Sequence, residues 1–96
     1  VTELPTRLNG CYPNPFNPST TISFSIAEES AWVKINIYNL KGQKVHQLTN
    51  AEYSKGLHSL VWGGTDDEGR ALSSGVYMIE LYAGSYRKTA KAMLAK

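Results

Sequence analysis

The side chains in this 96-residue sequence that could perform catalysis are one cysteine, Cys11, and two histidines, His46 and His58. A thiol paired with an imidazole is a known form of activated nucleophile. Neither histidine has a candidate nucleophile nearby in the sequence, and no Gly-x-Ser-x-Gly or His-Glu-x-x-His motif occurs. The sequence therefore predicts a protein that is not an enzyme, with both histidines at solvent-facing or rim positions of strands.

Three acidic residues, Asp66, Asp67 and Glu68, precede Gly69 and could suggest a calcium site. Calcium takes six or more oxygen ligands, and the spacing of an EF-hand loop is absent here. Acidic residues before a glycine are also typical of a solvated turn. We expect a turn at this position, with no metal site and no cofactor.

Aromatic residues are the remaining candidates for a binding site. Most aromatic side chains in a small β-sandwich belong to the core or to cross-strand pairs, and Tyr38 and Tyr82 are predicted to face solvent instead. A patch of coplanar exposed rings would favour carbohydrate binding, and scattered rings would not. The candidates for such a platform are Trp32, Tyr38, Tyr53, Tyr82 and Tyr86.

Composition limits the classes of protein to consider. Ten basic against eight acidic residues give a net charge of +2, too weak a bias to indicate nucleic acid or an anionic membrane as a partner. An apolar content of 42% suits one small folded domain. No apolar run is long enough to span a membrane, and the first ten residues lack the features of a signal peptide. We therefore expect a cytoplasmic protein or a piece of a longer exported one. The single cysteine excludes an internal disulfide.

Alternation of apolar and polar residues with a period of two is the main structural signal. It occurs in residues 21–26, 33–38 and 76–82, and shorter apolar stretches at 45–48 and 57–62 add further candidate strands. Residues 39–42 (NLKG) predict a tight turn, since Asn and Gly tolerate positive φ. Residues 86–96 have helix-favouring composition, but the short turn at 83–85 favours an antiparallel strand, and we predict a strand.

Six or seven short strands without a convincing helix predict an all-β fold, an antiparallel β-sandwich of about seven strands. Each sheet has one face in the core and one in water, as antiparallel sheets allow. The predicted core consists of Ile22, Phe24, Val33, Ile35, Ile37, Trp62, Tyr77, Ile79 and Leu81.

Two segments allow both a structural and a functional interpretation. In residues 13–18, the prolines fix φ and force extended geometry, which suits a rigid entry into the strand at 21–26 or a recognition surface. In the C-terminal segment, Arg87 and three lysines suit an edge strand protected by charge or a part of an export signal. Both alternatives stay open at this point.

Several short pieces of the sequence form a pattern that resembles a known family. They are YPNPFNPSTTI at 12–22, VKINIYNLKG at 33–42 with QKV after it, Trp62 with the glycine-rich loop to Gly69, SGVY at 74–77 and KAMLAK at 91–96. Together they resemble the C-terminal sorting domains of proteins exported by the bacterial type IX (Por) secretion system. The pattern is also similar to the Ig-like domain of flagellar hook-capping proteins. One departure is Gly63, where such domains usually carry aspartate after the tryptophan.

The resemblance implies an Ig-like or fibronectin III-like sandwich in residues 12–96, with residues 1–11 as a linker from an upstream domain. It implies a non-catalytic C-terminal domain of a larger exported protein, which acts as a sorting and cell-surface attachment signal. The protein would pass through the periplasm and end at the cell surface or outside the cell. The implied partners are the outer-membrane secretion translocon, a sortase-like peptidase and the upstream cargo domain in the same chain.

Candidate recognition residues lie in the matching pieces and in the basic C-terminal segment. The alternative function is a carbohydrate-binding or structural Ig-like accessory module of an extracellular hydrolase or adhesin, with a polysaccharide as partner. The candidate recognition residues are Pro13, Asn14, Pro15, Phe16, Asn17, Pro18, Gly42, Gly75, Tyr77, Lys88, Lys91 and Lys96.

Overall fold

Five antiparallel β-strands make up the structure, a computed structural model that describes residues 5–96. The predicted all-β class is confirmed, and no helix long and apolar enough to cross a membrane occurs in the described residues. The strands are β1 (Arg7–Tyr12), β2 (Thr20–Tyr38), β3 (Lys44–Trp62), β4 (Gly75–Ala83) and β5 (Tyr86–Leu94).

The prediction of seven strands was too high, because two long strands each replace two predicted short ones. β2 and β3 are 19 residues each and form one hairpin around the turn at residues 39–43. The register shifts between Ile26 and Ser30, where the sequence is polar, yet the strand continues past this irregularity. In the turn, the side-chain Oδ1 of Asn39 accepts hydrogen bonds from the backbone N–H of Lys41 and Gln43.

The sheet curls around β2. The first half of β2 pairs with β1 on one side and with the second half of β3 on the other. The second half of β2 pairs with the first half of β3 on one side and with β4 on the other. β5 then pairs with the free side of β4. The curl brings β1 to β5, so that the backbone N–H of Leu8 donates to the Tyr86 hydroxyl at 3.1 Å. One part of the sheet thus has three strands and the other has four.

The core lies on the inner face of this curled sheet, and all nine side chains predicted to form it are buried. The buried positions of β2 are mainly even-numbered before the irregularity at 26–30 and odd-numbered after it. The sequence prediction placed both sets correctly because it treated the two segments separately. The structure adds Leu8, Phe16, Ile26, Ala83, Ala92 and Leu94 to the core.

The first and last strands lie near the two ends of the described residues. The C-terminal segment is strand β5, as predicted, and buries Ala92 and Leu94. At the other end, β1 pairs with β2 and buries Leu8, so part of the segment predicted to be a linker contributes to the sheet and to the core. Residues 1–4 of that segment lie outside the described residues.

Candidate recognition surface

The proline segment, residues 13–18, runs along the outer edge of β5. The side chain of Asn14 donates from Nδ2 to the carbonyl of Lys91 and accepts at Oδ1 from the N–H of Met93, both at 2.9 Å. The backbone of Phe16 then donates to the carbonyl of Met93 and accepts from the N–H of Ala95, again at 2.9 Å. The amide group of Asn14 therefore takes the place of a backbone peptide group, and this segment closes the edge of β5 from Lys91 to Ala95.

Phe16 anchors the proline segment in the core. Its side chain is 1% exposed, and its ring lies 5.3 Å from that of Trp62. Trp62 in turn contacts Tyr77 edge-on, with ring centroids 5.6 Å apart. Both polar ends are satisfied, since Trp62 Nε1 donates to the carbonyl of Thr65 and the Tyr77 hydroxyl to that of Ser73. Because the rings of Phe16 and Tyr77 are buried, they stabilise the proline segment and β4 from inside and are not accessible to a partner.

Gly64 lets the loop after Trp62 approach this region closely. It has a φ of +70°, and a Cβ atom there would lie 3.2 Å from the carbonyl oxygen of Pro18 and 3.3 Å from Leu94 Cδ2. A side chain at this position would have to push apart the proline segment and the terminal strand. The glycine-rich loop thus packs against both the proline segment and the C-terminal strand, the two segments for which the sequence allowed a structural and a functional interpretation.

The structure brings together most of the predicted recognition residues, but not all. The proline segment, Lys91 and Tyr77 lie in one region, and Gly75 joins them because it pairs with Leu94 at the start of β4. The N–H of Lys96 donates to the Ser74 hydroxyl at 3.0 Å, which places it there too. Lys88 lies at the far end of β5, opposite Leu81 and beside Pro5 and Arg7.

Gly42 lies in the β2–β3 turn with a φ of +84°, a conformation that favours glycine. It borders an open depression of about 440 Å³ on the outer face of β4 and β5. The side chains of Tyr38, Met78 and Tyr82 line the same depression. Gly42 is therefore separate from the proline segment, and its assignment to a recognition site stays a prediction.

Sequence reasoning missed a charged network in this depression. Arg87 Nε lies 3.2 Å from a carboxylate oxygen of Glu80, whose other oxygen accepts a hydrogen bond from the Tyr82 hydroxyl at 2.6 Å. This hydrogen bond, desolvation and the charge of Glu80 raise the pKa of Tyr82. Arg87 and Lys34 each lie 5.8 Å from the Tyr82 ring. The turn at Gly84 could have revealed the network, because it sets Tyr82 opposite Arg87.

Of the five rings proposed as a sugar-binding platform, Tyr38 and Tyr82 line the same depression, while Trp32, Tyr53 and Tyr86 lie elsewhere. The ring–ring contacts of the described residues involve Phe16, Phe24, Tyr53, His58, Trp62 and Tyr77, mostly buried or half-buried groups. Trp32 is exposed but its indole N–H donates to Asn50, and Tyr82 lies close to the two cations. This scatter does not favour carbohydrate binding.

The acidic residues at 66–68 are used within their own loop. Asp66 Oδ1 accepts hydrogen bonds from the N–H groups of Glu68 and Arg70, and its other oxygen pairs with the Arg70 side chain. The Arg70 N–H is the main reason that the pKa of Asp66 is lowered. Asp67 accepts from the N–H of Gln47 at the start of β3. Within residues 5–96, no group of three or more acidic, His or Cys side chains could hold a metal ion.

Cys11 is a half-buried residue of β1, with its sulfur 3.8 Å from the carbonyl of Lys91 in β5. Desolvation raises the pKa of this thiol, although a hydrogen bond with Thr20 works in the opposite direction. A raised pKa leaves less of the thiolate that a nucleophilic cysteine needs. The environment of Cys11 is that of a packing residue.

The family model for the FlgD Ig-like domain matches residues 14–88. Two solved structures from Porphyromonas gingivalis are similar: PorZ, an essential bacterial surface component of the type-IX secretion system, and PorU in its dimeric latent form. No curated protein matches the chain at a significant level.

These structural likenesses establish the fold. PorZ shares 21% sequence identity with a TM-score of 0.64, over 90% of this chain and 11% of its own. PorU shares 17% identity with a TM-score of 0.73, over 88% of this chain and 9% of its own. The chain thus spans about a tenth of the length of either protein.

Proposed function

Because the chain belongs to the FlgD Ig-like domain family, we propose that it is a non-catalytic domain that sorts a larger exported protein through a type IX secretion system. In this role it carries no reaction of its own. It presents a folded surface to an outer-membrane translocon and to a sortase-like peptidase, and the cargo precedes it in the same chain. The exported protein then ends at the cell surface or in the medium.

The observation that carries this proposal is the closed edge of β5. The proline segment and the terminal strand are two of the pieces of the sequence that resemble sorting domains, and hydrogen bonds of Asn14 and Phe16 join them. A signal formed by two distant segments is readable only when the domain is folded. The likeness to PorZ, a surface component of that secretion system, supports the same context.

The exposed side chains of this region are the groups that a translocon could contact. Lys91 is exposed on β5, while Pro13, Asn14 and Pro15 are exposed beside it. Lys88 extends the basic character along β5 and lies in an exposed position as well. Charged side chains on an outer strand contribute to the rate and selectivity of encounter more than to stability.

The test is export of a reporter. The full chain, Val1–Lys96, is fused behind a signal peptide and a fluorescent reporter in a type IX-secreting bacterium, and the reporter is measured in periplasm, on the surface and in the medium. We expect export of the native fusion and its retention in the periplasm when Lys88 and Lys91 are both changed to Gln. Such exposed changes alter stability by no more than about 0.5 kcal/mol, so a loss of export reflects recognition.

The matched control changes Lys41 and Lys44 to Gln, two exposed lysines at the β2–β3 turn. This control removes the same charge from a different surface, and we expect normal export. Full export of the Lys88→Gln/Lys91→Gln fusion, together with full export after removal of β5, would refute the sorting function.

A further inference from the structure

β3 is an edge strand whose outer side is largely uncovered. Its only strand partner in the described part of the chain is β2. The loop after β3 covers the beginning of this edge, where Asp67 bonds to the backbone of Val45 and Gln47. Residues 56–62, which we call the open edge, have no such cover among the described contacts.

The open edge lacks the usual protection against pairing with another strand. Edge strands are commonly protected by charged side chains, proline or a covering segment. Residues 56–62 (GLHSLVW) contain no Lys, Arg, Asp, Glu or Pro. Leu57 is 64% exposed and Val61 is 63% exposed, and both lie on the outer face of the sheet with Ser59 between them.

The inner side of the open edge is also incompletely covered. His58 and Leu60 point toward the core, where the His58 ring stacks on Phe24, yet both side chains are only half-buried. This end of the sheet has three strands where the other end has four. One more strand beside β3 would bury apolar atoms on both of its faces.

We infer that the open edge pairs with the same edge of a second copy of this chain, antiparallel and with Ser59 on the two-fold axis. A symmetric contact of this kind requires a surface that is complementary to itself. In this register Leu57 faces the partner's Val61, and Val61 faces the partner's Leu57. The small Ser59 meets its own copy, and His58 meets the partner's Leu60.

No charges are brought into conflict in this register. The nearest charged residue of β3 is Lys55, which would lie opposite the partner's Gly63. Seven residues a side is a much smaller contact than the roughly 20–30 residues a side of a stable interface. The pairing is therefore weak, and a high local concentration, such as that on a crowded surface, favours it.

Register-specific cross-linking tests the pairing. In a Cys11→Ser background, the full chain is prepared with Ser59→Cys, Leu57→Cys or Val61→Cys and oxidised mildly. Residues directly opposite in an antiparallel pair have Cα atoms about 4.5–5.5 Å apart, within the range that a disulfide spans. We expect Ser59→Cys to cross-link to itself, and Leu57→Cys to cross-link only when mixed with Val61→Cys.

The single variants Leu57→Cys and Val61→Cys serve as controls for chance collision. Each would lie four residues from its own copy, roughly 13 Å at the rise of a strand, which is too far for a disulfide. Their yields should be at least about tenfold below that of Ser59→Cys, because bridging them requires backbone movement. Equal yields for all variants would overturn the inference.

Sedimentation of the native chain gives an independent readout. The average mass of the native chain should rise with protein concentration. The double variant Leu57→Lys/Val61→Lys should remain monomeric. The control variant Leu40→Lys, which changes an exposed leucine in the β2–β3 turn, should behave as the native chain does. A native chain that stays monomeric at the highest concentration would overturn the self-pairing and point to a strand of a different protein as occupant.

Discussion

Three strands of the described sheet, β1, β3 and β5, pair with one neighbour each, and the outer edges of β3 and β5 differ in how they are covered. The edge of β5 is closed from Lys91 to Ala95 by the proline segment, while the edge of β3 is open over residues 56–62. Residues 57–62 of β3 and 90–94 of β5 both alternate exposed with half-buried or buried positions, so the difference in cover does not follow from this alternation. It depends on which other part of the chain reaches them.

The closed edge shows how prolines can cap a sheet without continuing it. Pro13 and Pro15 have no backbone N–H to offer a further strand. Between and beside them, Asn14 and Phe16 provide the donors and acceptors that β5 needs. The cap therefore provides hydrogen-bond partners for the backbone of β5 and ends the sheet there. A covered edge cannot pair with the strand of another chain, which protects against aggregation.

The largest effect should follow from removing the anchor of the closed edge. Changing Phe16 to Ala deletes a side chain that is 1% exposed and packed on Trp62. Large-to-small changes of a buried phenylalanine cost about 3–5 kcal/mol. We expect a loss of unfolding free energy in this range in denaturant titrations. Tyr12→Ala, which changes an aromatic residue that is 82% exposed, should have little effect. Equal effects of the two changes would contradict the anchoring.

A smaller effect should follow from removing the side-chain amide that mimics a peptide group. Asn14→Ala deletes two hydrogen bonds to the backbone of β5, at Lys91 and Met93. Each bond contributes about 0.5–1.5 kcal/mol, and water replaces part of it at this exposed site. We expect a loss of about 1–2 kcal/mol in unfolding free energy on that scale.

The matched control for this change is Asn17→Ala, an exposed asparagine of the same segment for which the described contacts include no side-chain hydrogen bond. Its stability should change by no more than about 0.5 kcal/mol. If Asn14→Ala is equally mild, the asparagine does not hold the edge.

The smallest effect concerns the pH dependence of stability and should distinguish the cover of β3 from the cover of β5. The short cover of β3 depends on the loop of Asp66, whose pKa is lowered in the folded protein by the N–H groups of Arg70 and Glu68. A carboxylate with a lowered pKa stabilises the fold above its unfolded pKa, and the contribution is lost as pH falls through the folded pKa. The bonds of the proline segment involve neutral groups and should persist.

We therefore expect unfolding free energy to decrease as the pH falls from 5 toward and below the ordinary carboxyl pKa of about 4, and this decrease to be shallower in Asp66→Asn. Thermal or denaturant unfolding at a series of pH values checks this. An identical pH dependence in the two proteins would show that Asp66 does not contribute.

The alternation of residues was enough to predict the core but not the edges. Ile22, Ile35 and Ile79 are buried as predicted, because burial of one face is a local property of a strand. The strand count was wrong because residues 28–30 are polar and suggested a break, while β2 is one strand whose pairing with β3 skips residues 27–29 and resumes at Ser30. The closed edge joins residues 14–16 to 91–95, and no local pattern specifies such a distant pairing. The preferences of proline and asparagine for turns predicted a rigid entry into the strand at 21–26, but they did not predict that the segment would cover the edge of β5.

Native-state hydrogen exchange tests the difference between the two edges most directly. At low protein concentration, the amides of Met93 and Ala95 should be protected, because they donate to Asn14 and Phe16. Every second amide of residues 57–61 should exchange almost as fast as in an unfolded chain, since those that point away from β2 have no acceptor among the described contacts. Asn14→Ala should abolish the protection of Met93 and leave β3 unchanged. Fast exchange at Met93 and Ala95 in the native protein, or uniform protection across residues 57–61, would contradict the account.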